Sequence, residues 1–123
     1  MLNFILRTLS QRRALCELLL ATYRVDLTRI LNRMAAGHVV SGDARAVSEL
    51  AAQIAATAEA TKLDSVHEQA VTLQLRAEAA DAGGPAEERE MLVSGLGLID
   101  AILANAPLQA SAHDGAKSEQ TLN

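Results

Sequence analysis

Aromatic residues are almost absent from this 123-residue chain, which has one phenylalanine, one tyrosine and no tryptophan. β-Branched residues are also scarce, so a sheet built from this material would pack poorly. The chain has only 2 prolines and 7 glycines, and its abundant alanine, leucine, glutamate and arginine all favour helices. The core must therefore be filled by aliphatic side chains, with alanines that let helices approach closely. This composition predicts an all-α protein with one modest core.

Cysteine is limited to Cys16, which excludes an internal disulfide. Its position in an apolar run predicts a buried core thiol. No apolar run reaches the ~18 residues that a membrane span needs. Residues 1–15 carry arginines and no acid, as organelle presequences do, but Glu17 follows and no small-residue cleavage site appears. We therefore expect a cytoplasmic protein without a membrane span.

Charge is divided unevenly along the chain. Residues 1–35 hold six arginines against two acids, a balance of +4, whereas the remainder holds five basic and thirteen acidic residues, a balance of −8. The two parts are expected to attract each other within the fold, or to attract a partner. Nucleic-acid binding is not expected, because there is no lysine-rich run and no aromatic residue that would stack on bases near the arginines.

Apolar residues recur at helical spacing in four segments. The first, roughly residues 2–36, contains neither glycine nor proline, and its apolar residues step by three and four as in a heptad seam. Gly37 is expected to end it. The second and third segments cover roughly residues 44–62 and 65–82. The fourth begins at Pro85 and ends near Asn105.

Short links between the later segments favour antiparallel packing. The sequence thus predicts an antiparallel four-helix bundle with a long N-terminal helix over residues 1–106. A disordered tail is predicted over residues 107–123, where no periodicity survives. Asp43 and Asp64 are predicted as the N-caps of the second and third helices.

The first helix, ~50 Å long at 1.5 Å per residue, is much longer than the other three. Its extra length must either extend beyond the bundle or pair with another chain, and an apolar extension would be an exposed patch. This predicts a homodimer or partner contact through Leu2, Phe4, Ile5 and Leu9. One functional reading is therefore a structural or chaperone-like protein that oligomerises or captures a partner helix.

No pattern in the chain supports catalysis. Nothing has the spacing of a nucleophile with its base, and Asp64-x-x-His67 lacks the second pair of ligands that a metal shell needs. We therefore expect a protein that is not an enzyme and holds no metal or cofactor. Gly95 and Gly97 lie inside the fourth helix, where each costs ~1 kcal/mol of helix propensity. Close packing against a neighbouring helix would explain both.

One family resemblance extends over residues 23–80. Gly42-Asp43 precedes a helix with the stretch Leu50-Ala51-Ala52-Gln53-Ile54-Ala55-Ala56-Thr57-Ala58, then a turn at Leu63-Asp64-Ser65-Val66 and another amphipathic helix. This order resembles the bacterial histidine phosphotransfer (Hpt) domain, a helical bundle that relays phosphate between response regulators. Apolar periodicity carries the resemblance, and it is a motif of low specificity.

The functional residues of that family are missing here. Ala52 stands where the phosphoacceptor histidine should be, Ala55 replaces the lysine and Ala56 replaces the glycine. The resemblance therefore implies a degenerate Hpt protein in two-component signalling that binds a response-regulator receiver or kinase domain without relaying phosphate. It places the partner-binding surface on the second helix. The implied residues are Ala52, Gln53, Ala55, Ala56 and Glu59.

Overall fold

The structure, a computed structural model, describes the backbone of residues 2–105 and the side chains of residues 11–105. It contains four helices and, within residues 2–105, no strand: α1 (Leu2–Ala35), α2 (Asp43–Ala60), α3 (Asp64–Ala82) and α4 (Pro85–Ala104). The predicted all-α fold is confirmed, and the helix ends agree with the predicted ones to within two residues. The predicted tail, residues 107–123, lies outside the described residues.

Gly37 ends α1 as predicted. It has φ +92°, a left-handed conformation that glycine adopts without steric cost. The Gly37 N–H donates to the Met34 carbonyl at 2.9 Å, and the His38 N–H donates to the Arg33 carbonyl at 3.1 Å. These two bonds form a Schellman motif, which satisfies carbonyls that the helix end would otherwise leave without partners.

The same motif ends α2, but with a lysine in the left-handed position. Lys62 has φ +62°, and its N–H donates to the Glu59 carbonyl at 3.2 Å. The Leu63 N–H donates to the Ala58 carbonyl at 2.9 Å. A side chain in this conformation costs energy that glycine would avoid.

Neither predicted aspartate cap is correct. Gly42 and Leu63 occupy the cap positions of α2 and α3, and neither helix start has a side-chain cap bond. Asp43 and Asp64 are the first helical residues, where their negative charge still favours the positive helix end. Asp43 instead accepts a bond from the connector before it, as described below.

The start of α4 follows the sequence prediction. Pro85 is the first helical residue. The N–H that proline lacks would have no intrahelical partner at this position, so no hydrogen bond is lost. The Gly84 N–H donates to the Glu87 carboxylate at 2.9 Å. This bond lowers the pKa of Glu87, so the carboxylate stays charged at the end of the helix where the backbone dipole is positive.

The four helices form a closed ring in which α1 packs on α2 and α4, and α3 packs on the same two helices. Ion pairs show the antiparallel order: Arg45 near the start of α2 meets Asp81 near the end of α3, and Arg76 of α3 meets Glu90 near the start of α4. At the other end of the bundle, Asn105 donates to the Ser65 hydroxyl. The predicted antiparallel arrangement is therefore present.

The core is aliphatic, as the composition predicts. Among the described side chains of α1, four are buried, and three of these, Leu20, Leu27 and Met34, recur every seven residues as the predicted heptad spacing requires. Small residues, mainly alanines, fill the contact between α2 and α3. The buried set is Leu20, Leu27, Leu31, Met34, Val47, Ala51, Ile54, Ala55, Ala58, Val66, Ala70, Leu73, Ala77, Met91, Leu98, Ile99 and Ile102.

Gly95 lies where α4 meets α1. A Cβ atom added at Gly95 would overlap Cδ1 of Leu31 and would lie 3.3 and 3.4 Å from the Cδ2 and Cγ atoms of that side chain. Close packing at Gly95 is therefore confirmed. At Gly97 an added Cβ would meet only the amide oxygen of Gln69, at 3.3 Å.

None of the helices over residues 2–105 has the length and apolar character needed to cross a membrane.

Candidate interaction site

The N-terminal part of α1 extends beyond the bundle. α1 has 34 residues and the other helices have 18, 19 and 20, so α1 is longer by about 20 Å at 1.5 Å per residue. Cys16 of α1 and Ala60, the last residue of α2, line the same cleft. The part of α1 before Cys16 therefore lies beyond the end of α2. The side chains of residues 11–15 are all exposed, and the first buried residue among the described side chains of α1 is Leu20. We call residues 2–15 the N-terminal extension.

The described side chains of the extension include both charge and apolar surface. Arg12 and Arg13 are exposed, and Leu15 has more than half of its surface in solvent. The predicted oligomer contacts Leu2, Phe4, Ile5 and Leu9 lie on the α1 backbone, but their side chains fall outside the described residues.

A basic cleft of about 280 Å³ lies between the extension and the end of α2. Arg13 makes an exposed ion pair with Glu17 at 3.6 Å, and Lys62 contributes its cation from the strained turn after α2. Cys16 is half-buried in the wall of the cleft, so the prediction of a buried core thiol is wrong. The lining residues are Arg12, Arg13, Cys16, Ala60, Thr61 and Lys62.

An ion pair at the opposite end of the bundle fixes α1 on α2. The guanidinium of Arg33 donates to both carboxylate oxygens of Asp43, at 2.7 and 3.1 Å, and to the His38 carbonyl at 2.8 Å. The Val40 N–H donates to Asp43 at 2.8 Å. Asp43 is only 5% exposed, and bidentate charge-assisted bonds of this kind are the strong ones.

Electrostatics at Asp43 favour its charged form. The bond from Arg33 lowers the pKa of Asp43, burial opposes this, and the Val40 N–H adds to the lowering. This pair is also the one described ion pair between the basic α1 and the acidic remainder. Among the described side chains, the expected attraction between the two parts of the chain is thus realised by Arg33 alone.

The five residues that the resemblance implied for partner binding do not share one environment. Gln53, Ala56 and Glu59 are exposed on α2, and Ala52 is half-buried. Ala55 is 8% exposed and belongs to the core, so its methyl group has little surface to offer a partner. The exposed members form a strip of small and polar side chains on α2.

The polar residues weighed for chemistry stay apart. Asp64 is exposed and His67 is half-buried on α3, and neither takes part in a described ion pair. Within the part of the chain that the structure describes, no three histidine, cysteine or acidic side chains come together as a metal site would require.

Sequence reasoning missed two residues that shape these surfaces. Lys62 carries positive charge into the basic cleft. Its left-handed conformation could have been inferred from the sequence, because no glycine or asparagine follows α2 to take the position that commonly ends a helix. Asp43 was read as a helix cap, and nothing in the sequence pairs it with Arg33, ten residues earlier.

No family model, no curated protein and no solved structure matches this chain. The resemblance to Hpt domains therefore stays a prediction.

Proposed function

We propose that this chain is a non-enzymatic interaction module that binds another protein through the N-terminal extension of α1. The observation that carries the proposal is the extension itself, a helical segment of about four turns that leaves the bundle with exposed arginines and an exposed leucine. Without a partner, such a segment would hold apolar surface in water at a cost.

The sequence supports this function beyond the exposed residues. The extension also contains Leu2, Phe4, Ile5 and Leu9, which repeat at helical spacing. A helix that presents apolar residues every three or four positions is the usual form of a helix that binds in a groove or pairs with another helix. That the chain is not an enzyme is supported by the absence of a nucleophile spaced to meet a base, and by Ala52 at the position where the Hpt resemblance would have a histidine. That it is cytoplasmic is supported by the lack of a targeting pattern.

The experiment compares the full chain with a variant that lacks residues 1–12. The described core of α1 begins at Leu20, beyond the deleted residues, so circular dichroism should show an intact bundle. Both proteins serve as bait in the cells that make the chain, and the recovered partners are then tested as purified proteins. We expect the partner to bind the full chain and to lose at least about tenfold in affinity for the deletion. Equal affinity for both would overturn the proposal.

A second candidate function has its own observation. The exposed strip of Gln53, Ala56 and Glu59 on α2 is the surface that the Hpt resemblance assigns to a receiver or kinase domain. A bulky side chain on this strip should block docking, so Ala56→Arg should abolish binding of purified receiver domains. Ala79→Arg, at an exposed alanine of α3, is the matched control and should bind normally.

Phosphorylated receiver domains also test the non-enzymatic part of the proposal. Incubation with them should leave no stable label on the chain. Label that is present in the natural protein and lost in His67→Ala would make His67 a phosphoacceptor and would refute the proposal that the chain only binds.

A further inference from the structure

We propose that the partner of the N-terminal extension is an amphipathic helix with acidic side chains, and that the basic cleft binds one of its carboxylates. The inference rests on the proposed function and deepens it, because it states the chemistry of the partner. It also adds Lys62, which lies outside the extension, to the binding surface. The two ideas can therefore fail separately.

The basic cleft brings together three cations from two parts of the fold. Arg12 and Arg13 line it from α1, and Lys62 lines it from the turn after α2. No acid is among the described residues that line the cleft, and neither Arg12 nor Lys62 takes part in a described ion pair. Arg13 pairs with Glu17, but its side chain is 68% exposed, so that pair is weak. A bound carboxylate would offset the repulsion among the three cations.

The conformation of Lys62 is a second, independent observation. Its φ of +62° is one that glycine usually adopts at the end of a helix, and a lysine there is strained. The hydrogen bonds that close the turn, from Lys62 to Glu59 and from Leu63 to Ala58, use backbone atoms alone. Glycine would therefore close the turn equally well. Strained residues cluster at sites that bind, and here the strained residue supplies a cation to the cleft.

A row of apolar positions continues from the cleft along the extension. Cys16 lies in the wall of the cleft, and one turn further on the same side of α1 is the buried Leu20. At about 100° per residue, the positions of Leu2, Ile5 and Leu9 fall within about 40° of Cys16. The row thus extends the core-facing side of α1 past the end of α2. A helix that lies along this row would reach the cleft.

The charge of the extension selects the class of partner. Residues 2–15 contain Arg7, Arg12 and Arg13 and no acid. Two extensions packed together would bring like charges together, which opposes a second copy as the partner. A helix with leucines on one side and glutamates beside them would place apolar residues on the row and a carboxylate among the cations. A single side chain can enter a cleft, whereas a flat lipid surface cannot.

Three matched peptides test the chemistry of the partner. Each is an amphipathic helix of about five turns, with leucines at steps of three and four flanked by glutamate, glutamine or lysine. We expect the full chain, in fluorescence anisotropy, to bind the glutamate peptide at least about tenfold more tightly than the glutamine peptide, and the lysine peptide least. The net charge of the chain is −4, so nonspecific attraction would give the reverse order. The reverse order, equal binding, or no binding of the glutamate peptide at about 100 μM would overturn the inference.

Lys62→Gly tests the cleft without a loss of fold. Glycine removes the cation and relieves the strain, so the variant should stay folded in circular dichroism and bind the glutamate peptide about tenfold more weakly. Lys62→Arg keeps the cation and should bind as the natural chain does. Arg29→Gln is the matched control, because it removes an exposed cation of α1 about 25 Å along the helix from Arg12, beyond the reach of screened charges. Normal binding by Lys62→Gly, or an equal loss in Arg29→Gln, refutes the cleft as the site.

Other occupants of the cleft would give other results. Binding of phosphatidylglycerol vesicles that is lost in Lys62→Gly, together with no binding of the glutamate peptide, would assign the cleft to a membrane surface. A dimer in sedimentation equilibrium that Lys62→Gly abolishes would assign it to a second copy. Binding of the glutamate peptide only after removal of residues 107–123 would assign it to the C-terminal segment of the chain itself. Each of these results would overturn the inference.

The variant without residues 1–12 separates this inference from the proposed function. If the deletion loses the glutamate peptide while Lys62→Gly retains it, the extension holds the partner without the cleft. The inference is then wrong and the proposed function stands. If the deletion binds the peptide as tightly as the full chain does, the proposed function is wrong and the inference falls with it.

Discussion

Gly95 and Gly97 offer a test of how α4 packs, because the same substitution should stabilise the protein at Gly97 and fail to stabilise it at Gly95. Alanine is favoured over glycine inside a helix by ~1 kcal/mol. At Gly97 an added methyl group meets only the flexible end of Gln69, 3.3 Å away, which can move into solvent. We therefore expect Gly97→Ala to raise the free energy of unfolding by up to about 1 kcal/mol.

At Gly95 the same methyl group would collide with Leu31. Three atoms of the Leu31 side chain lie within overlap or tight contact of the new Cβ atom. Leu31 is 2% exposed, so it can move away only by displacing other buried side chains. Overpacking a core by one methyl group costs about 1–3 kcal/mol. The packing cost should cancel or exceed the gain in helix propensity, so Gly95→Ala should be less stable than Gly97→Ala by about 1–3 kcal/mol.

Urea and thermal unfolding, followed by circular dichroism at 222 nm, measure this difference. For a domain of this size, a difference of about 2 kcal/mol corresponds to a shift in Tm of roughly 8 °C. The Leu31→Ala background supplies the control, because it removes the atoms that collide. There Gly95→Ala should become stabilising by up to about 1 kcal/mol. If Gly95→Ala is as stable as Gly97→Ala in the natural background, the close approach of α1 and α4 at this point is refuted.

Two further predictions concern the ends of α2. Asp43→Ala should lower the free energy of unfolding by about 2 kcal/mol. The loss is smaller than for a fully buried ion pair because Arg33 is half-buried. Asp81→Ala, which breaks an exposed ion pair, is the control and should lower the free energy of unfolding by less than about 0.5 kcal/mol. The pKa of Asp43 is lowered in the fold, so its contribution is complete above the unfolded pKa of about 3.9 and is lost as pH falls through the lower folded pKa. Asp43→Asn should therefore show a flatter loss of stability in urea titrations below about pH 4, and an unchanged pH profile would contradict this account. At the other end, Lys62→Gly should raise the free energy of unfolding by about 0.5–1 kcal/mol because glycine adopts a φ of +62° without strain, while Lys62→Ala should gain nothing.

The fold could be predicted from the sequence because the residues and patterns that define the helices act locally. Residues such as Gly37 and Pro85 mark helix ends through their own backbone preferences, and they do so wherever the chain packs. Apolar spacing in α1 likewise predicted one apolar face, and the buried Leu20, Leu27 and Met34 lie on it, because a 3.6-residue period places them on the same side of the helix. The long first helix follows from the absence of any breaker before Gly37.

The candidate site depended on which neighbours each residue meets. Leu15 and Leu31 are both leucines of the same apolar-rich helix, yet Leu31 is covered where α4 contacts it and Leu15 is exposed. Asp43 forms its ion pair with Arg33 only because the connector between α1 and α2 folds back and brings the two residues together. Periodicity says which face of a helix is apolar, but the lengths and ends of the neighbouring helices decide how much of that face is buried. The sequence by itself therefore determined four helices and their ends, while tertiary packing decided that α1 extends beyond the bundle and that its outer face stays exposed.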